Sequence, residues 1–332
     1  MEAYLTPTLW LLDVLLTLTL VGLAVRVLTA PDLFQAIVWF IVFGLIMAIV
    51  WTRLQATDIA LAEAAIGAGL TGALFLNTLG QMHARRSERG MEAKRGTGKQ
   101  QAAWAVIGLF VLALSLPLGD VVWRLPRQAA GLGNQVEARL AESGANNPVT
   151  AVLLNFRGYD TFLEIGVLLL AVVGVWSLPP TRETRHSEDT PGLVLLFLVR
   201  ILVPIIGVVA AYLLWQGTDE PGGAFQAGAV LSAAGVLLLV AGLVRPPTSR
   251  GWAERGALVL GFGGFLALAV ALMGIGGRFL EYPPTGAASL ILLIETVLTL
   301  SIALTLVALF AGGAPAEDNQ KPNTPHAPED NA

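Results

Sequence analysis

Six ionisable residues stand in or at the edge of largely apolar stretches: Asp58, Glu63, Asp160, Glu164, Arg200 and Glu295. Carboxylates in such surroundings take and release protons or hold cations. A charge at mid-bilayer costs about 2.5–3.5 kcal/mol on insertion scales, so each one needs a reason. Glu63 sits in TDIALAEAAIGAGL, with Ala62, Ala64, Ala65, Gly67, Ala68 and Gly69 around it. Small residues let a neighbouring helix come close, so the carboxylate faces protein rather than lipid. It either relays a proton or ion, or satisfies the neighbouring helix. Asp58 opens the same stretch. Asp160 and Glu164 are spaced i, i+4 and share one helix face. Two like charges there suit a proton-exchanging pair, and capping by Asp160 with snorkelling by Glu164 is the structural alternative. Arg200 precedes Pro204, which frees a backbone carbonyl and allows a kink. Arg200 and Glu295 of LLIETVLTL are candidate partners for each other.

A second polar element is the run GTDEPGGAFQAG, residues 217–228, between IGVVAAYLLW and AVLSAAGVLLLVAGL. Pro221, Gly222 and Gly223 break the chain and free backbone groups, which are tolerated at membrane depth only against protein or a wet cavity. Asp219 and Glu220 add negative charge, and Gln226 carries polarity into the following helix. The run reads either as an ion vestibule or as a tight turn packed on a partner protein.

The elements that must position these residues are membrane helices. The chain has 332 residues, 55% hydrophobic and 13% charged, with a mean hydropathy of +0.69. Its apolar residues come in blocks of about twenty, enough to cross ~30 Å of hydrocarbon. Nine spans are predicted, at 9–29, 32–51, 57–79, 102–119, 160–178, 192–214, 224–244, 256–276 and 288–311. With nine spans, 13 of the 20 Lys and Arg fall on one side. The positive-inside rule then puts the N-terminus outside and the C-terminus in the cytoplasm. A short amphipathic surface helix is expected within RQAAGLGNQVEARLAESG, residues 127–144. The tail from 313 to 332, rich in Pro, Asn and acids, is expected to be disordered.

The net charge of −4 offers no general affinity for nucleic acid. There is no cysteine, hence no disulfide, thioether haem or cysteine-ligated cluster. His83, His186 and His326 lie far apart in polar segments, a poor basis for a metal site. GFGGF and GIGG lack the strand-then-helix setting of a phosphate loop. No nucleophile–base arrangement is visible, so the chain does not read as an enzyme, and no cofactor is implied. The start MEAYLTPTLW lacks a basic region, so a cleaved signal peptide is not expected.

Residues 32–79, through D-x-A-L-x-E-A-A-x-G-A-G-L, resemble the MbhD-like domain found at the end of the large A-type protein of Mrp-type Na+/H+ antiporters and in membrane-bound hydrogenases. NPVTAVLLNFRGYDTFLEIGVLLLAVVGVWSL (147–178) resembles the MbhE-like domain. LVPIIGVVAAYLLWQGTDEPGGAFQAGAVLSAAGVLLLV (202–240) resembles the MnhB/MrpB protein of those antiporters, with Ala224 and Ala227 where glycine is common. The resemblance implies an MbhD-like three-helix module over 1–100, an MbhE-like two-helix module over 101–190 and an MnhB/MrpB-like four-helix module over 191–312. It implies one component of a multisubunit cation/proton antiporter in a prokaryotic cell membrane. The partners would be other subunits, including a large antiporter-like one on another chain, with Na+ and H+ as transported ions. The alternative it leaves is a membrane component of an ion-pumping respiratory oxidoreductase related to complex I. Glu63 matches the family's carboxylate in a helix that, in the related part of complex I, carries a π-bulge. Asp160 and Glu164 match the acids of FRGYDTFLE.

Overall fold

The computed structural model describes residues 2–89, 98–125, 131–177, 192–247, 251–275 and 277–312. The tail from 313 to 332, expected to be disordered, lies outside them. The described residues form helices and connecting turns, with no strand among them. They divide into two compact units, one of residues 1–79 and 140–332, the other Gly80–Arg139.

In the larger unit, α1 (Glu2–Thr29) and α2 (Leu33–Arg53) form a hairpin. The Asp32 side chain accepts the Gln35 N–H at 2.9 Å and starts α2, an N-cap that satisfies one of the free first-turn donors. Asp13 and Arg53 close the other end of the hairpin with an ion pair at 2.9 Å. The next helix begins as α3 (Thr57–Ala62), passes through a π-helical segment Glu63–Leu70 and continues as α4 (Thr71–Arg89).

The smaller unit carries α5 (Gly98–Arg124), with Pro117 inside it, and the short α6 (Gly133–Arg139). The surface helix expected in 127–144 is thus α6, followed by a 3₁₀ turn, Leu140–Glu142.

Back in the larger unit, α7 (Pro148–Ala151) runs into a second π segment, Val152–Phe156, and then α8 (Gly158–Trp176). Asn147 caps α7, accepting from Val149 N at 2.8 Å, and Pro148 occupies the first helical position, where its missing N–H is harmless. The remaining helices are α9 (Leu193–Gln216), α10 (Ala224–Val240), α11 (Trp252–Gly274) and α12 (Ala287–Ala311).

The core forms around α12, which packs on α8, α9, α10 and α11. Phe265, Ile291 and Leu298 are fully buried there. Phe162 stacks on Phe262 with ring centroids 4.5 Å apart. Glycines set the close helix pairs: a Cβ at Gly228 would lie 2.8 Å from Ile302, and one at Gly261 would lie 2.5 Å from Ser301 Oγ. Such contacts suit membrane helices, whose association relies on backbone approach rather than on water exclusion.

Eight helices among the described residues are long and apolar enough to cross a membrane. They match eight of the nine expected spans. The other, 224–244, is the shorter apolar helix α10, with 17 residues. At 1.5 Å per residue that is about 25 Å. The helix starts where expected and ends early, at Val240 before Gly242 with φ +67°. At its start the Ala224 N–H donates to the Glu295 carboxylate, and Glu295 is two turns into α12. The turn before α10 therefore dips into the protein rather than running over its surface.

Candidate functional site

The dipping turn is fixed by backbone geometry. Gly223 has φ +101° and ψ −169°, a region open essentially to glycine alone. Its N–H donates to Leu213 O at 2.9 Å, closing the end of α9. A Cβ on Gly222 would lie 2.5 Å from Leu213 O, and one on Gly217 would overlap the Gly223 backbone. Three glycines thus allow the chain to fold back on itself.

Polar partners from the same chain then hold the turn. Asp58 Oδ1 accepts the Gly222 N–H at 2.9 Å, and Gln226 Nε2 donates to the Asp58 carbonyl at 3.2 Å. The Asn147 side chain also donates to Asp58. Thr150 Oγ1 donates to Gly217 O, and the Asn146 and Asn147 N–H groups donate to Thr218 O at 2.8 and 2.9 Å. Asn146 Nδ2 donates to Asp219 Oδ1 at 2.6 Å. The turn at 217–223 is therefore seated on α3 and the start of α7. Asp219 and Glu220 are exposed, and Pro221 is half-buried.

Asp58, Asp160, Glu164 and Glu295 line a single cavity of about 880 Å³ between α3, the α7–α8 segment, α10 and α12. Gly222, Gly223 and Gln226 line it too, and the remaining walls are largely apolar, including Ile66, Leu154 and Phe225. Among the described residues, no Lys, Arg or His lines it. Glu295 is 2% exposed. One of its oxygens lies beside Gly223 and the Ala224 N–H, while Oε2 has no hydrogen-bond partner among the described residues. Asp160 is ion-paired with Arg157 at 2.5 Å, three residues back, and makes no side-chain cap. The capping role considered for Asp160 gives way to this pair, because Arg157 itself occupies the N-cap position. Glu164 is exposed, at the edge of the cavity.

Glu63 is not part of this cavity. It opens the π segment, and its carboxylate lies over Gly67 and beside Gly44 of α2. Five residues separate it from Asp58, about 140° of helical rotation, so the two acids leave the helix on different faces.

Arg200 stays apart from Glu295. It is exposed, eight residues into α9, and has no ion pair with Glu295. α9 runs from Arg200 toward the dipping turn, and its last residue, Gln216, lies 16 residues on, about 24 Å. Glu295 sits at the far end, next to that turn, so the candidate pair is not formed.

The sequence reading missed Asn146, Asn147, Thr150 and Tyr282. The Asn147–Pro148 pair is a helix-start signature that pointed to α7. Tyr282 gave no signal: it lies in the 277–286 connection, 5% exposed, with its hydroxyl unpartnered and Glu295 near it. Burial, and after it the Glu295 charge, pushes its phenol up to about 12, so it remains an O–H donor at any working pH. No group of three or more His, Asp or Glu among the described residues is placed to hold a metal ion.

Two family models match the chain: MbhD, the D component of MBH, over residues 18–84, and a domain related to the MnhB subunit of the Na+/H+ antiporter over 194–315. A probable K(+)/H(+) antiporter A/B protein of Rhizobium meliloti is 27% identical over 176 residues, 45% of this chain and 17% of that one. The A-type protein of the Na(+)/H(+) antiporter of Bacillus subtilis is 26% identical over 177 residues, 53% of this chain and 21% of that one. The chain thus spans about a fifth of the length of these curated relatives. Among solved structures, the Mrp complex from Dietzia sp. DQ12-45-1b has a chain that matches 92% of this one, at TM-score 0.71 and 20% identity, over 35% of its own length. The membrane-bound sulfane sulfur reductase, an archaeal respiratory membrane complex, matches 63% of this chain and 96% of its own, at TM-score 0.51 and 24% identity. Both likenesses are likenesses of fold. The resemblance to an Mrp-type protein, an MbhD-like part joined to an MnhB-like part, stands on these matches.

Proposed function

We propose that this chain is a membrane subunit of a multisubunit monovalent cation/proton antiporter in a prokaryotic cell membrane, with Na+ the leading candidate ion. In this reading a large antiporter-like subunit on another chain carries the transport core. This chain packs against other subunits and contributes intramembrane carboxylates. The modules are an MbhD-like part over 1–100, an MbhE-like part over 101–190 and an MnhB-like part over 191–312.

The observation that carries the reading is the cavity. Acids from the MbhD-like part (Asp58), the 147–178 segment (Asp160 and Glu164) and the MnhB-like part (Glu295) line it, with no basic residue among its described walls. Of these four, Asp160 has a cationic partner close by. Unneutralised carboxylates in apolar surroundings call for protons or cations, because bare charge there is costly. Glu63, on a different face, is a second candidate for coupling.

The test is antiport by the purified complex in proteoliposomes, read as cation-dependent pH change. Glu63→Gln should leave the complex assembled with much weaker antiport, and Glu63→Asp should be intermediate. The chain reconstituted alone should give no cation-dependent pH change. A robust signal from the chain alone overturns the proposal that its transport core lies elsewhere.

The membrane arm of an ion-pumping oxidoreductase is the second reading. It is favoured by the match that spans 96% of a chain in the sulfane sulfur reductase structure. The proteins that co-purify separate the two, since redox partners bring cysteine-rich clusters.

A further inference from the structure

Two buried oxygens lack partners among the described residues, Glu295 Oε2 and Tyr282 Oη, and the charge of the first is felt at the second. Buried polar side chains are nearly always hydrogen-bonded, and an exception needs an explanation. Both residues are more than nine-tenths buried, Glu295 at 2% exposed and Tyr282 at 5%. They come from different elements, the 277–286 connection and α12, and Tyr282 belongs to the same buried cluster as Ala224, whose N–H meets Glu295, and Ile294, the chain neighbour of Glu295. The other Glu295 oxygen is already occupied by the Ala224 N–H. Glu295 also lines the cavity, so this buried carboxyl has a route outward.

We propose that Glu295 and Tyr282 form a proton-exchange site: Glu295 Oε2 takes up and releases a proton through the cavity, and the Tyr282 hydroxyl positions and stabilises the carboxylate form. The two oxygens do not hydrogen-bond each other directly in this structure. The cavity that Glu295 lines gives water access to its carboxyl, and water can supply the partners that both oxygens lack. Tyr282 is a positioning residue here; Glu295 carries the proton.

A proton fits the site better than a metal cation. A hard cation needs several oxygen ligands, whereas no three acidic or histidine side chains converge among the described residues. A proton needs only the one carboxyl. The titratable groups around it are Asp58 on α3, Asp160 and Glu164 on α8, and Tyr282. α10 faces it with Gln226 and no charge, and the charged residues of α9 and α11, Arg200, Glu254 and Arg255, lie in the first turns or so of those helices, at their opposite ends. The inference rests on the antiporter reading for the use of the proton, but its chemistry can be tested separately.

Dicyclohexylcarbodiimide is the probe. It adds to protonated carboxyl groups reached from apolar surroundings, which the cavity provides. The purified native complex is treated across a pH series, and the adduct is located by peptide mass spectrometry. The expected result is an adduct at Glu295 that declines as pH rises, and its absence in Glu295→Gln. In Tyr282→Phe the adduct should persist to higher pH, because a hydrogen-bond donor to the carboxylate has been removed. The pH profile of antiport should move the same way. No adduct at Glu295 in the native complex at low pH overturns the proposal, as do identical profiles for native and Tyr282→Phe protein. The native arm stands whether or not the variant assembles. An active antiporter without a Glu295 adduct overturns this inference and leaves the proposed function intact; the adduct pattern in a complex without antiport does the reverse.

Discussion

Asp58 and Gly222 are 164 positions apart in sequence, and the Asp58 carboxylate accepts the Gly222 N–H at 2.9 Å. This bond ties the MbhD-like part to the polar turn of the MnhB-like part. Asp58→Ala leaves a half-buried N–H and the Asn147 amide without their acceptor, at a cost of about 1–3 kcal/mol. The thermal midpoint of the purified complex should fall. Asp58→Asn keeps an oxygen acceptor and should fall less. Equal midpoints for Asp58→Ala and native protein would show that the bond contributes nothing.

Glycine should be indispensable in the dipping turn and replaceable where a Cβ meets open space. Gly223→Ala meets a positive φ and a Cβ only 2.7 Å from Glu295 Oε1. Strain of ~1–2 kcal/mol from the backbone and about 1–3 kcal/mol from overpacking should add. Gly207→Ala, with nothing within 4 Å, is the matched control on α9. Scanning calorimetry or dye-based melting of the two variants should separate them by several degrees. Indistinguishable melting curves would remove the turn's special status.

Gly67 offers a way to disturb Glu63 without altering its charge. A Cβ there would overlap the Glu63 carboxylate, so Gly67→Ala must displace that side chain. Antiport should drop toward the Glu63→Gln level while assembly is retained. Gly80→Ala, which adds a methyl to open space, should transport normally. Full activity in Gly67→Ala would show that the placement of the Glu63 carboxylate over Gly67 is immaterial.

The sidedness expected from the Lys and Arg distribution can be read with single cysteines, since the chain has none of its own. Gly217 is unsuitable as a reporter, because its Cβ would overlap Gly223. Glu220 is exposed and replaces it. Glu220→Cys and Gly90→Cys should react with an impermeant maleimide from opposite sides of the membrane. Reaction from the same side contradicts the proposed orientation.

Fold class was legible because uninterrupted apolar blocks of about twenty residues suit a bilayer and little else, and eight of the predicted spans are full-length helices. The 217–223 turn was legible too, since Pro221 ends helical winding and the Gly-Gly pair admits backbone conformations closed to other residues. Its partners were not: the turn is held by Asp58, Asn146, Asn147 and Thr150 of its own chain, and no local signal reports a contact 67 or 164 residues away. Arg200 and Glu295 looked like equals because each is eight or nine residues into a helix. Their helices start at opposite ends, so equal counts give opposite depths. The four acids of the cavity could not be grouped either. Helical periodicity assigns faces only while the winding stays at 3.6 residues per turn, and two π segments, Glu63–Leu70 and Val152–Phe156, break that count beside the site.

The helix through Glu63 is moored at two points. Asp58 holds its start to the 217–226 turn, and beyond the π segment Asn77 Nδ2 holds it to Phe310 O at 3.1 Å. Between these moorings lie the eight residues of the π segment. Wider winding packs more residues into a given rise, so the distance between moorings dictates how the intervening chain is coiled. Rewinding the segment as α-helix would lengthen it, and one mooring would have to slip. The protein thus keeps Glu63 on a tether of set length, and the setting is made by two hydrogen-bonded anchor points outside the π segment, one on each side of it.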